Sequence, residues 1–257
     1  MNLMWDYLTN GDNWSGDGGI ADRAAEHVAL CLGALLIAGL IALPIGTMVG
    51  HGRRGDDLPI ALGTLGRLMA PLGVFCYFAL KIDTGSDAVL FALVLLAMPP
   101  MMTAAYTGVR LVDVAAVDSA RAAGMLPSQI LRGVEVPMAL PDLLAGIRKA
   151  SRQVVAMAAV GAFVGAGGLG RLIIDGQSDE FRDYGMVATG GVLIALLAVI
   201  LDGLIVMIGH RFTSPGLARR ATSRSARPEA ARPEPAPANT YPTMPTMPGA
   251  PPPPLNN

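Results

Sequence analysis

Few residues in this chain have both the type and the spacing for chemistry. Gly165-Ala166-Gly167-Gly168-Leu169-Gly170 matches G-x-G-x-x-G, a pattern that can cradle a pyrophosphate. It does so only when a strand precedes it in a βαβ unit. Here a long apolar stretch precedes it and an acidic segment follows. The Gly-Lys-Ser/Thr ending of a phosphate loop is missing, and Gly170-Arg171 stands in its place. The run is therefore read as glycines that end an apolar segment and let backbones pack closely. Cys31 and Cys76 lie inside apolar segments, with no disulfide framework and no metal spacing. Both are read as small hydrophobes. His27, His51 and His210 sit far apart at segment ends, without ligand spacing. The reading assigns no catalytic residue, no metal site and no cofactor to this chain, and so no enzyme.

The polar chemistry that is organised lies at 112–150, VDVAAVDSARAAGMLPSQILRGVEVPMALPDLLAGIRKA, an Arg-bearing island between hydrophobic segments. Asp118-Ser119-Ala120 is followed by three residues and Gly124. Nine residues then lead to Val134-Glu135-Val136-Pro137. Ala115, Ala116, Ala120, Ala122 and Ala123 favour helix and carry little side chain. Such a helix can approach a partner's groove closely. Gly124 falls where the helix should stop in a left-handed cap. Pro127 fits the first turn of a second helix, where a missing N–H costs nothing. Pro137 and Pro141 punctuate entry to the next apolar segment. The expectation is a short helix, a Gly corner and a second helix at an angle.

This spacing resembles the cytoplasmic loop of ABC-importer permeases, where Glu-Ala-Ala, three residues, Gly, nine residues and Ile-x-Leu-Pro recur. Asp118 stands where that family usually has Glu, and Ser119 where it usually has Ala. Ala162-Phe163-Val164-Gly165-Ala166-Gly167-Gly168-Leu169-Gly170 resembles the same position in glycine betaine, choline and methionine importer permeases. Phe163 is more like the betaine group. Leu65-Gly66-Arg67-Leu68-Met69-Ala70-Pro71 resembles the start of a helix in osmoprotectant permeases. The resemblance covers about residues 25–215. It implies a permease for a quaternary amine such as glycine betaine, choline or carnitine. It implies docking on a cytoplasmic ABC ATPase through Asp118, Ser119, Ala120, Gly124, Pro127, Val134, Val136 and Pro137. ATP and Mg would be bound by that partner. A second permease copy or homologue and an external substrate-binding protein are implied too. Arg67, Pro71, Phe75 and Phe163 are candidates for the pathway or its gate, although Arg67 also reads as a snorkelling residue near a helix end. Methionine or another small solute on the same scaffold is the alternative, as is a membrane scaffold or sensor without transport.

The elements that must position these residues are membrane helices. The 257 residues are 52% hydrophobic and 15% charged, with mean hydropathy +0.48, too apolar for an average soluble domain. A net charge of −1 argues against nucleic-acid binding. A bilayer core about 30 Å thick needs about 20 apolar residues in a helix. Five stretches qualify: 28–49, 60–80, 88–109, 140–164 and 186–208. The fold class is an all-α polytopic bundle of about five transmembrane helices with a cytoplasmic coupling loop at 112–137. Arg53 and Arg54, a central group (Arg110, Arg121, Arg132, Arg148, Lys149, Arg152) and the Arg-bearing tail share one side. Acidic loops dominate the other, which places the N-terminus outside and the C-terminus in the cytoplasm of a bacterial inner membrane. Residues 1–24 form a polar external segment without a signal-peptide pattern. There Trp5 and Trp14 rest at the membrane interface or sit in a loose tail. Residues 213–257 are Pro-rich and read as disordered. Phe75, Tyr77 and Phe78 are the only tight aromatic group; the helical period puts Phe75 and Phe78 on one face and makes no cage for a cation.

Overall fold

The computed structural model describes residues 2–212, apart from 17, 53–60, 62–63, 65–69, 83 and 179–181. Arg67 and the Pro-rich tail lie outside the described residues, as does most of the first half of the expected second span. Every regular element among the described residues is helical. In chain order these are α1 (Asn2–Thr9), α2 (Ile20–His51), α3 (Pro71–Lys81), α4 (Ser86–Arg110), α5 (Val114–Ala122), α6 (Pro127–Ile130), α7 (Val136–Gly161), α8 (Gly170–Gly176) and α9 (Tyr184–Phe212). Three are long and apolar enough to cross a membrane: α2, α4 and the Tyr184–Gly209 part of α9. α7 has 26 residues, about 39 Å at 1.5 Å per residue, but carries Asp142, Arg148, Lys149 and Arg152. α3 is apolar with 11 residues, so it covers only part of a bilayer.

Small residues hold the bundle together. Lipid tails are as apolar as Leu, so helices in a membrane associate by close packing rather than by hydrophobic burial. Ala34, Ala38, Ala42, Gly46 and Gly50 recur every fourth residue on α2, and all are buried. That stripe lies against α4. A Cβ at Gly46 would sit 2.7 Å from Ala105 Cβ, and one at Gly50 would sit 2.8 Å from the Tyr106 carbonyl oxygen. α4 is in turn sealed to α7, where Gly146 abuts Ala104 and a Cβ on Gly161 would meet Val89 at 2.6 Å. α4 is therefore the central helix. The opposite face of α2 carries Leu36, Leu40 and Met48, all exposed, as a lipid-facing surface requires.

The N-terminal segment is more ordered than a loose tail. α1 packs on the start of α9: the Leu3 carbonyl oxygen lies 2.5 Å from where a Gly185 Cβ would be. Tyr7 joins Ile20, Leu169, Leu172 and Met186 in an apolar cluster. Burial raises the Tyr7 pKa, with the Arg23 charge opposing and Asp183 adding to it. Trp14 is held by its Nε1–H, which donates to the Leu8 carbonyl at 2.7 Å. Trp5 remains exposed. Cys31 is buried as expected, whereas Cys76 is exposed on α3, because its helix packs through Phe75 and Phe78 instead.

Candidate functional site

The polar island folds as a helical hairpin at one end of the bundle. Asp113 caps α5 by accepting from the Ala115 N–H at 3.1 Å. α5 closes in a Schellman motif: Met125 N–H donates to Ala120 O at 3.2 Å and Gly124 N–H to Arg121 O at 3.0 Å. Gly124 has φ +82°, the left-handed value that its position in the motif requires. Pro127 opens α6, where the Gln129 side chain accepts from the Leu126 N–H at 2.9 Å. α6 is not a separate second helix. It runs through a π-turn at Leu131–Glu135 directly into α7. Val136 N–H bonds to Leu131 O. The wider turn precedes Pro137, which has no N–H to continue a regular ladder.

The hairpin presents Asp118, Ser119, Gly124, Pro127 and Pro137 on its exposed surface, with Val134 and Val136 half-buried. Asp118 pairs with Arg121 at 3.1 Å. Ala120 points the other way. It is 9% exposed and packs with Val117, Ile130, Ala139 and Leu143. Its small size lets α5 settle on the bundle's own end. Glu135, read only as the variable position of the motif, is buried and bonds His51 Nδ1 at 2.5 Å. It ties the hairpin's exit to the end of α2.

A groove of about 380 Å³ runs between α4 and α7 from the hairpin end toward mid-helix. Thr103, Thr107, Asp142, Gly146, Lys149 and Gln153 line it. On another face of α7, Arg148 forms a two-pronged bond with Asp202 of α9, at 3.1 and 2.6 Å, and Arg152 joins at 2.8 Å. Arg148, Lys149 and Arg152 belong to α7 itself rather than to the central loop. Asp202 lies inside the most apolar helix. A lone Asp in such a helix, with basic residues at i and i+4 on another, is the sequence signal for this cluster.

At the far end the glycine run packs on α2. Gly168, at φ +86°, donates its N–H to Glu26 Oε2 at 2.8 Å. A Cβ there would lie 3.2 Å from His27 Cα. The run thus gives this N–H to a carboxylate of its own chain and serves close approach, as expected. His27, buried beside it, donates from Nε2 to the Val155 carbonyl at 3.2 Å.

The profile of the binding-protein-dependent transport system inner membrane components matches residues 30–219. The chain belongs to this family. It is an importer permease. The carnitine transport permease OpuCD of Listeria monocytogenes serotype 1/2a is 30% identical over 199 residues, covering 77% of this chain and 86% of the relative. The glycine betaine/carnitine/choline permease OpuCD of Bacillus subtilis is 31% identical, covering 75% and 84%. An inward-facing structure of the MetNI methionine ABC transporter shares the fold, with TM-score 0.67 at 21% identity, covering 76% of this chain and 96% of that one.

Of the permease's expected pathway residues, Pro71 begins α3 and is half-buried. Phe75 is fully buried in the main core and lines no surface, because its side chain seals α3 to the bundle. Phe163 is 68% exposed at the end opposite the hairpin. Phe78, half-buried, stacks on Phe91 at 6.3 Å, while Tyr77 meets it edge-on at 5.6 Å. No run of sequence marks the α4–α7 groove, whose residues are scattered over two helices.

Proposed function

We propose that this permease carries a quaternary-ammonium osmoprotectant of the glycine betaine, choline or carnitine class into a bacterial cell. The observation that carries the reading is the match to relatives named for these solutes, at 30–31% identity over more than four-fifths of their length. The likeness to the methionine transporter supports the scaffold alone.

The hairpin at 112–137 is the cytoplasmic docking element for a separate ATPase, which holds the ATP and Mg. Asp118, Ser119, Gly124, Pro127 and Pro137 form the contact, and Ala120, Val134 and Val136 shape it from within. The N-terminus lies outside and the C-terminus inside. Residues 1–24 are the external segment, 25–212 the permease domain, and 213–257 a dispensable cytoplasmic tail. The unbroken path from α6 through the π-turn into α7 gives mechanical continuity from the docked surface to the far end of the bundle. A shift of α6 as the ATPases close therefore moves α7 against α4, and the groove between them changes with it. Such alternating access is a population shift between two bundle states. Two permeases, identical or paired homologues, enclose the path, and an external binding protein supplies the loaded solute.

In proteoliposomes, uptake of glycine betaine or choline requires both the binding protein and ATP. Purified permease alone shows no calorimetric binding at micromolar solute. Uptake of methionine in place of these solutes, or no co-purifying ATPase, refutes the assignment.

A further inference from the structure

α7 carries charge on two distinct faces. Arg148 and Arg152 turn to Asp202 of α9 and are satisfied there. Lys149 and Asp142 instead line the groove against α4. They are seven residues apart, two helical turns on the same face, a rise of about 10.5 Å. A helical side chain leans toward its N-terminus, so the Lys149 stem reaches toward Asp142. Among the described residues neither has an ion-pair partner. An ionisable side chain in a spanning helix faces a protein interior or a water-filled cavity rather than lipid.

The rest of the lining mixes Pro99, Pro100, Ala104 and Ala145 with the polar Thr103, Thr107 and Gln153, and no aromatic residue is among it. Thr103 and Thr107 donate their hydroxyls to the Pro99 and Thr103 carbonyls, at 2.8 Å each, which leaves their oxygens as acceptors. Gln153 Nε2 donates to Leu96 O at 3.4 Å. No ring is present for cation–π capture of an ammonium. The strongest features of the groove are thus one positive and one negative charge on a common face. Its volume, about 380 Å³, lies in the range of small-molecule sites, about 300–1,000 Å³.

We infer that Lys149 is a specificity-determining residue that holds the carboxylate of a zwitterionic solute in transit, while Asp142 faces its cationic end. This rests on the osmoprotectant reading. Glycine betaine and carnitine carry both a carboxylate and a quaternary nitrogen. Choline carries the nitrogen but has a hydroxyl in place of the carboxylate. Lys149 therefore favours the first two, and Asp142 serves all three.

The test is uptake in proteoliposomes holding the whole importer, each solute compared with wild type. Lys149→Gln is expected to lower glycine betaine and carnitine uptake about tenfold, the scale of one charge-assisted hydrogen bond, while choline stays within about twofold. Lys149→Arg restores the carboxylate solutes, and Asp142→Asn lowers all three. ATPase co-purification controls for assembly. Equal losses of all three solutes in Lys149→Gln, or none, overturn the inference while leaving the osmoprotectant assignment standing. If the binding protein delivers carboxylate solutes only, rescue by Lys149→Arg at equal ATPase turnover supports it, and no rescue overturns it. Wild-type importer that carries choline alone, or none of the three, overturns it; the last result alone also removes the functional reading beneath it.

Discussion

Replacing Gly46 by Ala tests whether small residues set the distance between α2 and α4. A methyl at this position would lie 2.7 Å from Ala105 Cβ and 2.7 Å from the Met102 carbonyl oxygen. Ordinary contact begins at 3.4 Å, so the helices must part locally by about 0.7 Å to remove the overlap. Neither neighbour is a flexible side-chain tip; one is a Cβ and the other is backbone. Overpacking of this kind costs about 1–3 kcal/mol. The better helix propensity of Ala returns up to about 1 kcal/mol. The net expectation is a loss of up to about 2 kcal/mol, or on the order of 8 °C in melting temperature at most for a chain this size, and a deficit against a control that gains only the propensity. Gly39→Ala is the control. Its methyl would meet only Leu43 Cδ1, at 3.9 Å, so propensity acts alone and stability holds or rises. Thermal unfolding of both variants in one detergent measures the difference. If Gly46→Ala melts with Gly39→Ala, the α2–α4 packing argument is wrong.

Other perturbations reach the remaining features. Gly124→Val places a β-branched residue at φ +82°, a strain of about 1 kcal/mol or more; the variant should reach the membrane yet lose its co-purifying ATPase, and normal coupling would reject the docking hairpin. Asp202→Asn removes the carboxylate shared by Arg148 and Arg152. It should lower folded yield, whereas an apolar replacement of all three residues should recover part of it, and unchanged yield in Asp202→Asn would show that the cluster does not hold α9 to α7. Single cysteines at Asn10 and Ser178 should label from outside the cell and one at Ser128 only after permeabilisation; labelling of all three from one side contradicts the topology.

The family was legible because the hairpin that carries its motif is local in sequence. Caps, corners and helix starts depend on residues a few positions apart, so Gly124 and Pro127 could be placed by spacing, as could the absence of a βαβ setting for the glycine run. The long apolar helices were legible for the same reason, since a bilayer-length run needs no partner to be recognised. What tertiary structure decided is which face of each helix meets which neighbour. Ala34 to Gly50 looks like any small, apolar helix until α4 lies against it. Phe75 and Phe163 are both aromatic residues in apolar stretches, yet one is sealed in the core and the other exposed, because only packing separates inside from outside where lipid is as apolar as the interior. His51 meets Glu135 from 84 residues away, and Asp202 gathers Arg148 and Arg152 from 54 and 50. The α4–α7 groove is built from residues scattered over two helices. A one-dimensional pattern records the period of a helix but not its rotation about its own axis, and that rotation turned Lys149 into the groove and Arg148 away from it.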